Sequence, residues 1–433
     1  MMALPIITLI AIFIYYWILN ARHFGAVGML ILTYIIMCSA SLLIEQFPGL
    51  HGGGAILFEP MAYLSVCFFI IFWGFTEFRD ENLKFIIIER IILYRVLENF
   101  LLIGGFIAIV FFLPFAVIAL RGDISLFRDD MVVYGTRLAD FGIINSICSL
   151  LANLFVIAQV CSFVNMIPVN GKRNIYKAYL LLISSLSFVV YVLAYAGRDG
   201  IVYWLMSYVF CFLLFRNFLA VHELKSIKRF FVLVFLILMI PFVMISVSRF
   251  SNIPGGTVLL IIKYAGQQLR NFSDHYQIEV PLQYGKHSFP IIYDFLKVVD
   301  FDISSKFDKD IFHSYFLVKD IEPWVFTTFV GNFMYDFGKY WTLLFLCTMS
   351  LATRKLLKNV TRTGVLEFSN LLIFILLYQV VYWGVFYFRL YVANYYILFI
   401  VILCIGFKIV RSSRFSLIYS KLNFAIIKAD YNN

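Results

Sequence analysis

Ala196-Gly197-Arg198-Asp199-Gly200 separates two apolar runs, Tyr176–Tyr195 and Ile201–Phe215. At ~1.5 Å of rise per residue the second run makes only about 22 Å of helix. A bilayer core is about 30 Å thick. If the second run spans, the Arg-Asp turn lies at or inside the apolar boundary. A guanidinium there costs about 3 kcal/mol or more unless it faces protein, water or a ligand. The turn therefore reads as a candidate functional site on a transmembrane protein.

The rest of the chain agrees with a membrane setting. Of 433 residues, 62% are hydrophobic and 14% charged, a balance no soluble domain of this length shows. Phe and Tyr number 49 and 27, which suits lipid contact and interfacial belts. The seven cysteines all fall in apolar runs, without CxxC pairs or Cys/His clusters, so neither a disulfide framework nor a zinc site is indicated. The first apolar run lacks a basic leader and a small-residue cleavage site, and reads as a retained span.

The expected fold is all-α: a single polytopic transmembrane helical bundle over residues 1–433. About eleven spans are expected, at Met2–Leu19, Phe24–Ile44, Ile56–Phe75, Phe100–Leu120, Gly142–Val164, Tyr176–Tyr195, Ile201–Phe215, Phe230–Val247, Gly338–Ala352, Leu366–Phe388 and Tyr391–Phe407. Orientation follows the Lys/Arg bias. Alternate connections hold Arg22; Arg79, Lys84, Arg90 and Arg95; Lys172, Arg173 and Lys177; Arg216, Lys225, Lys228 and Arg229; Arg354, Lys355, Lys358 and Arg362; and the basic tail 408–433. That face should be cytoplasmic, with the N-terminus outside and the C-terminus inside. The net charge of +10 reflects topology and anionic lipid. The bases are dispersed and no fold signature accompanies them, so nucleic acid is not an expected partner.

Two external loops are expected, at 121–141 and 249–337. The second is too long for a passive connection. Its segment 257–272 reads as an amphipathic helix on the membrane surface, with Lys263, Gln267 and Arg270 at helical spacing. No internal repeat or inverted duplication appears, which weakens a transporter reading.

Several charges fall at one external level. Arg198 and Asp199 follow the sixth span, Arg249 ends the eighth, Asp336 opens the ninth, and Arg389 lies in the tight turn between the last two. Three arginines at one membrane–water level would suit a lipid-linked pyrophosphate, since each offers a permanently charged donor fork. A carboxylate nearby could act as general base on a sugar hydroxyl. Plainer readings stand beside these: a hairpin ion pair for Arg198–Asp199, snorkelling for Arg249, a helix cap for Asp336, and solvation for His275. Asp300-Phe-Asp302 and Asp308-Lys-Asp310 have the DxD form of some metal-dependent transferases, but such pairs arise easily in an acidic loop. No P-loop, GxSxG or HExxH is present.

Three features resemble the O-antigen polymerase family, the Wzy-type polymerases of oligosaccharide repeat units. They are the Ala196-Gly-Arg-Asp-Gly-Ile201 turn, the Ser248-Arg-Phe250 exit into a large loop holding Tyr264 and Asn271-Phe272, and the Gly331-Asn-Phe-Met-Tyr-Asp-Phe-Gly338 approach to the next span. The resemblance covers roughly Tyr176 to Leu351. It implies a metal-independent, cofactor-free, GT-C-like glycosyltransferase of the bacterial inner membrane, with its active face periplasmic. Its substrates would be polyprenyl-pyrophosphate-linked oligosaccharides. A chain-length regulator and a flippase would be its partners.

On that resemblance Arg198, Arg249 and Arg389 bind pyrophosphate, and Asp199 holds Arg198. Asp336 or His275 orients or deprotonates the acceptor, while Tyr264 and Arg270 wall the lipid entrance. The rivals are an O-antigen ligase and a flippase of lipid-linked sugars. The ligase histidine pattern is not followed around His275.

Overall fold

In the computed structural model the described residues are 1–20, 22–47, 56–122, 124, 141–167, 174–250, 256–298, 309–319, 321–323, 325–391, 393–409 and 416–419. The helices, in chain order, are α1 (Ala3–Leu19), α2 (Ala26–Ile44), α3 (Phe58–Phe75), α4 (Ile91–Arg121), α5 (Gly142–Asn153), α6 (Phe155–Met166), α7 (Ile175–Ser184), α8 (Ser187–Leu193) and α9 (Asp199–Phe215). They continue with α10 (Val221–Phe250), α11 (Gly256–Gly266), α12 (Gln268–Tyr276), α13 (Pro290–Val298), α14 (Lys309–Leu317), α15 (Thr328–Thr363), α16 (Phe368–Tyr382) and α17 (Asn394–Ile409). Among the described residues seven helical segments are long and apolar enough to cross a membrane, or eight if the α5–α6 pair, bent by 42°, is one span. Such lengths of apolar side chain with the backbone hydrogen-bonded internally are what a bilayer requires. The chain is a polytopic helical membrane protein.

All eleven expected stretches are largely helical. α1 and α17 are shorter apolar helices. The expected ninth span lies inside α15, which is not among the seven. The reason is physical: α15 breaks at Gly338 and carries Asp336, Lys339, Arg354, Lys355, Lys358 and Arg362 along its length. The all-α expectation also needs one addition, a three-stranded sheet in the order β2-β1-β3, formed by β1 (Phe85–Ile88), β2 (Val365–Glu367) and β3 (Ser416–Tyr419). β1 runs parallel to β2, with Phe85 opposite Val365, and antiparallel to β3, with Phe85 opposite Tyr419. Four residues of the expected basic tail thus belong to a strand.

The chain divides into two compact units. The first comprises Met1–Arg79, Val258–Arg362 and Ile373–Phe399; the second comprises Asp80–Thr257, Thr363–Leu372 and Ile400–Asn433. In the first unit α1, α2, α3 and part of α16 enclose an aromatic core. Tyr34 stands edge-on to Phe68 and Phe72. Its hydroxyl donates to the Val381 carbonyl at 2.6 Å, and the Tyr378 hydroxyl donates to that of Ala26 at 3.0 Å. Each buried ring is thereby fixed without leaving an unmatched hydroxyl. In the second unit the Trp204 indole donates to Ser185 at 2.9 Å and Tyr208 to the Ile227 carbonyl at 3.0 Å. There Glu89 accepts the Phe368 and Ser369 N–H groups, both at 3.0 Å, at the start of α16.

Candidate functional site

The expected surface helix 257–272 is two helices, α11 and α12, and the second is buried. Leu269, Phe272 and Tyr276 recur at helical spacing along α12, and all three are buried. Gly266 lets the chain turn against α2, since a Cβ there would come within 2.5 Å of the Ala40 carbonyl carbon. Arg270 is buried as well. Its Nη1 donates to both carboxylate oxygens of Glu45, at 2.8 and 2.9 Å, and Asp274 lies one helical turn on at 3.9 Å. A buried guanidinium needs such partners. Arg270 is therefore engaged with two carboxylates of its own unit. Burial raises the Asp274 carboxyl, and Arg270 pulls it back.

His275 and Asp336 have definite architectural duties. The His275 Nε2 donates to the Glu322 carbonyl at 3.0 Å, which fixes the tautomer. Nδ1 then accepts the Tyr335 hydroxyl. Its ring lies 4.6 Å from that of Phe316, in a cluster with Phe312 and Tyr335. Burial holds the imidazole neutral, lowering it to about 4. The fully buried Asp336 carboxylate clasps the turn ahead of α13. Its Oδ1 accepts N–H from Gly285 and His287, both at 3.0 Å, and Oδ2 that of Ser288 at 2.8 Å. Burial pushes this carboxyl above its ordinary range and the turn's hydrogen bonds pull it down. The two residues expected to act on the acceptor thus have their polar atoms turned to protein partners.

Beside them α15 breaks. Gly338 has φ 69° and ψ 177°, a backbone region open essentially to glycine. A cavity of about 410 Å³ borders Gly338, its lining mixed: Glu59, His275, Glu279 and Lys339 stand beside Leu57, Ile278, Val280 and Met334. The Tyr276 hydroxyl donates to Glu59 Oε1 at 2.7 Å. The Lys339 ammonium sits 3.8 Å from the same oxygen and 3.6 Å above the centre of the Tyr276 ring. Tyr63 donates to the Lys339 carbonyl at 2.7 Å. Another cavity, about 560 Å³ and mainly apolar, is lined by Leu282, Tyr284, Asp336, Phe337, Trp341, Leu344, Phe345 and Thr348. Trp341 and Leu344 are exposed. Leu282 borders both cavities.

The arginine turn that opened the sequence belongs to the second unit. Arg198 precedes α9, and its Nη1 donates to Ser246 Oγ at 2.8 Å. Its guanidinium lies 5.9 Å from the Phe242 ring. Asp199 occupies the first turn of α9, where a negative charge suits the helix dipole. The flanking glycines admit Val192: a Cβ on either Gly197 or Gly200 would meet it at 2.6 Å. Arg249 lies in the last turn of α10, with its side chain outside the described residues.

Tyr264 and Arg389 lie in the first unit. Tyr264 stands edge-on to Phe326 at 5.9 Å. Arg389 is half-buried in a single 3-10 turn, after Phe388 donates its N–H to Asn332 Oδ1 at 2.9 Å. So Tyr264, Arg270, His275, Asp336 and Arg389 fall in one unit, and Arg198, Asp199 and Arg249 in the other. Asp300, Asp302, Asp308 and most of the loop 121–141 lie outside the described residues.

Sequence reasoning missed Glu59, Tyr276 and Lys339. The signal was present, because Glu59 and Lys339 fall inside stretches counted as spans, where a charge is a functional candidate by default. No family model matches this chain, and none of the curated proteins or solved structures matches it.

Proposed function

We propose that this protein is a membrane-embedded glycosyltransferase that polymerises lipid-linked oligosaccharide repeat units for a surface polysaccharide. The growing glycan leaves its polyprenyl pyrophosphate and joins a sugar hydroxyl of an incoming lipid-linked unit. In this reading eleven helices cross the bacterial inner membrane in a GT-C-like bundle. The N-terminus is outside, the basic connections are cytoplasmic, and the cavities flanking Gly338 face the periplasm.

The observation that supports this is the pair of cavities. A polyprenyl-linked glycan joins a polar, anionic head to a long apolar tail. The cavity of mixed lining offers a lysine, two carboxylates and aromatic rings, and the mainly apolar one offers Trp341, Phe345 and leucines. Sharing Leu282 as a border suits one amphiphile with its head in the first and its tail in the second. Aromatic faces and charged hydrogen-bonding groups are the usual means of holding such heads.

Deleting the gene and running the surface glycan on a gel tests the reading. Loss of a polymerase leaves a single repeat on the acceptor, and the wild-type gene restores the ladder. Complete loss of glycan with accumulated lipid-linked chains would point to a ligase. Failure of glycan to reach the outer face would point to a flippase, and an unchanged ladder would end the glycan reading.

A further inference from the structure

We propose that Glu59 is the proton acceptor of this transfer, a proposal that rests on the reading above. A general base must present an available oxygen within hydrogen-bond reach of the substrate. Asp336 has both oxygens on backbone N–H groups and His275 has both nitrogens on protein atoms. Glu59 differs. Among the described residues its polar contacts are to Oε1, from the Tyr276 hydroxyl and the Lys339 ammonium. Oε2 has no partner among the described residues, and the side chain is 74% exposed. Its position is nevertheless fixed, because Glu59 lies in the first turn of α3 and Oε1 is held by Tyr276. Glu279 borders the same cavity, and among the described residues its side chain has no hydrogen bond to anchor it.

The acceptor hydroxyl oxygen bonds to the anomeric carbon of the donor glycan. The bond from that carbon to the pyrophosphate oxygen breaks, and its electron pair leaves on the pyrophosphate. The hydroxyl proton passes to Glu59 Oε2 and from there to solvent. Lys339, beside the carboxylate, is the cation of this cavity that meets a phosphate oxygen. Tyr276 is a positioning residue, acting through Oε1.

The test uses full-length protein reconstituted in lipid vesicles with lipid-linked oligosaccharide extracted from the deletion strain. Wild-type protein converts this material to polymer. Glu59→Gln lowers the initial rate about 100-fold or more, the lower end of what a positioned base contributes. Asp294→Asn on α13, an exposed carboxylate outside both cavities, retains the wild-type rate. If wild-type protein makes no polymer, the function proposed above fails, whatever Glu59 does. If wild type is active and Glu59→Gln stays within threefold of it, the base assignment is overturned. A loss confined to Glu279→Gln would overturn it too.

Should Glu59→Gln not yield folded protein, Glu59→Asp decides. Its carboxylate is withdrawn by one methylene, so the rate falls at least tenfold and the acidic limb of its pH profile moves. An unchanged rate and profile in that variant would remove Glu59 from the reaction. Tyr276→Phe lowers the rate less than Glu59→Gln and shifts the same limb, which a purely structural role would not do.

Discussion

Two glycine-marked turns carry charges in this molecule, and they use glycine differently. At Gly197 and Gly200 the missing Cβ is replaced by Val192, 2.6 Å from where either Cβ would stand. The turn is closed, and Arg198 reaches across to Ser246. At Gly338 the demand is on the backbone itself, with φ 69°. The helix breaks there; one cavity borders Gly338 and another borders Asp336 and Phe337 just before it. Glycines beside a charge therefore signal two opposite things, close packing in one turn and an opening in the other.

The largest contrast should come from Asp336, which clasps the opened side. Asp336→Ala leaves the N–H groups of Gly285, His287 and Ser288 without their acceptor. Each buried unmatched donor costs about 1–3 kcal/mol, so the loss should be several kcal/mol, read as a lower thermal midpoint in detergent. Asp336→Asn should lose less, because its amide oxygen still accepts. Equal loss in both variants would show that the charge, rather than the hydrogen bonds, holds the turn.

Acid should also separate the two turns. His275 and His287 are buried and lowered to about 4 from an ordinary 6.5. The unfolded chain binds their protons first as pH falls. Their contribution is complete above about pH 6.5 and is lost as pH drops toward 4, by at most about 3 kcal/mol each. Asp336, raised by burial, works the other way and offsets part of the loss. Amide protection factors, which correct for the slower intrinsic exchange in acid, should therefore fall at residues 283–288 on going from pH 7 to 5, and not at residues 196–200. His275→Gln should flatten the dependence, and equal loosening of both turns would refute this assignment.

The glycines themselves sharpen the comparison. Gly338→Ala should cost about 1–3 kcal/mol from the backbone alone. Trimming Leu282, 3.1 Å from the added Cβ, should not recover it. Gly197→Ala should cost about 1–2 kcal/mol by overpacking, and Val192→Ala, which removes the Cγ1 that meets the added Cβ at 2.6 Å, should recover much of that. A rescue of Gly338→Ala by Leu282→Ala would make the two turns alike after all.

These turns also show what the sequence could tell. Long apolar runs dictated the helices, since an 18-residue apolar window has few other structures available to it. The break in α15 was less legible, because Gly338 sits at what reads as an ordinary span start. The glycines around Arg198 stood out, but a sequence does not reveal what fills the space they leave; Val192 does. Glu59 was hidden by its neighbours, as one acid in Leu57-Phe-Glu-Pro60 reads as a helix start. What marks it is Tyr276, more than two hundred residues away in the chain, and no local pattern connects the two. Arg270 and His275 were conspicuous for their chemistry, yet burial committed both to protein partners.

The smallest effect should be at Arg198, and it bears directly on the closed turn. Nη1 donates to Ser246 Oγ, which in turn donates to the Phe242 carbonyl at 2.7 Å. This chain ties the start of α9 to α10 within one unit. A lysine keeps the positive charge and a single donating nitrogen but not the planar fork. If Arg198 works as a tether, Arg198→Lys should destabilise the fold modestly, by about 0.5–1.5 kcal/mol, read as a lower thermal midpoint. It should leave the glycan ladder at full length, and Ser246→Ala should give a similar loss. A pyrophosphate ligand would behave differently, because a phosphate held by two parallel N–H groups cannot be held the same way by an ammonium. Collapse of the ladder to single repeats in Arg198→Lys, with Ser246→Ala unaffected, would move Arg198 from the packed turn to the substrate.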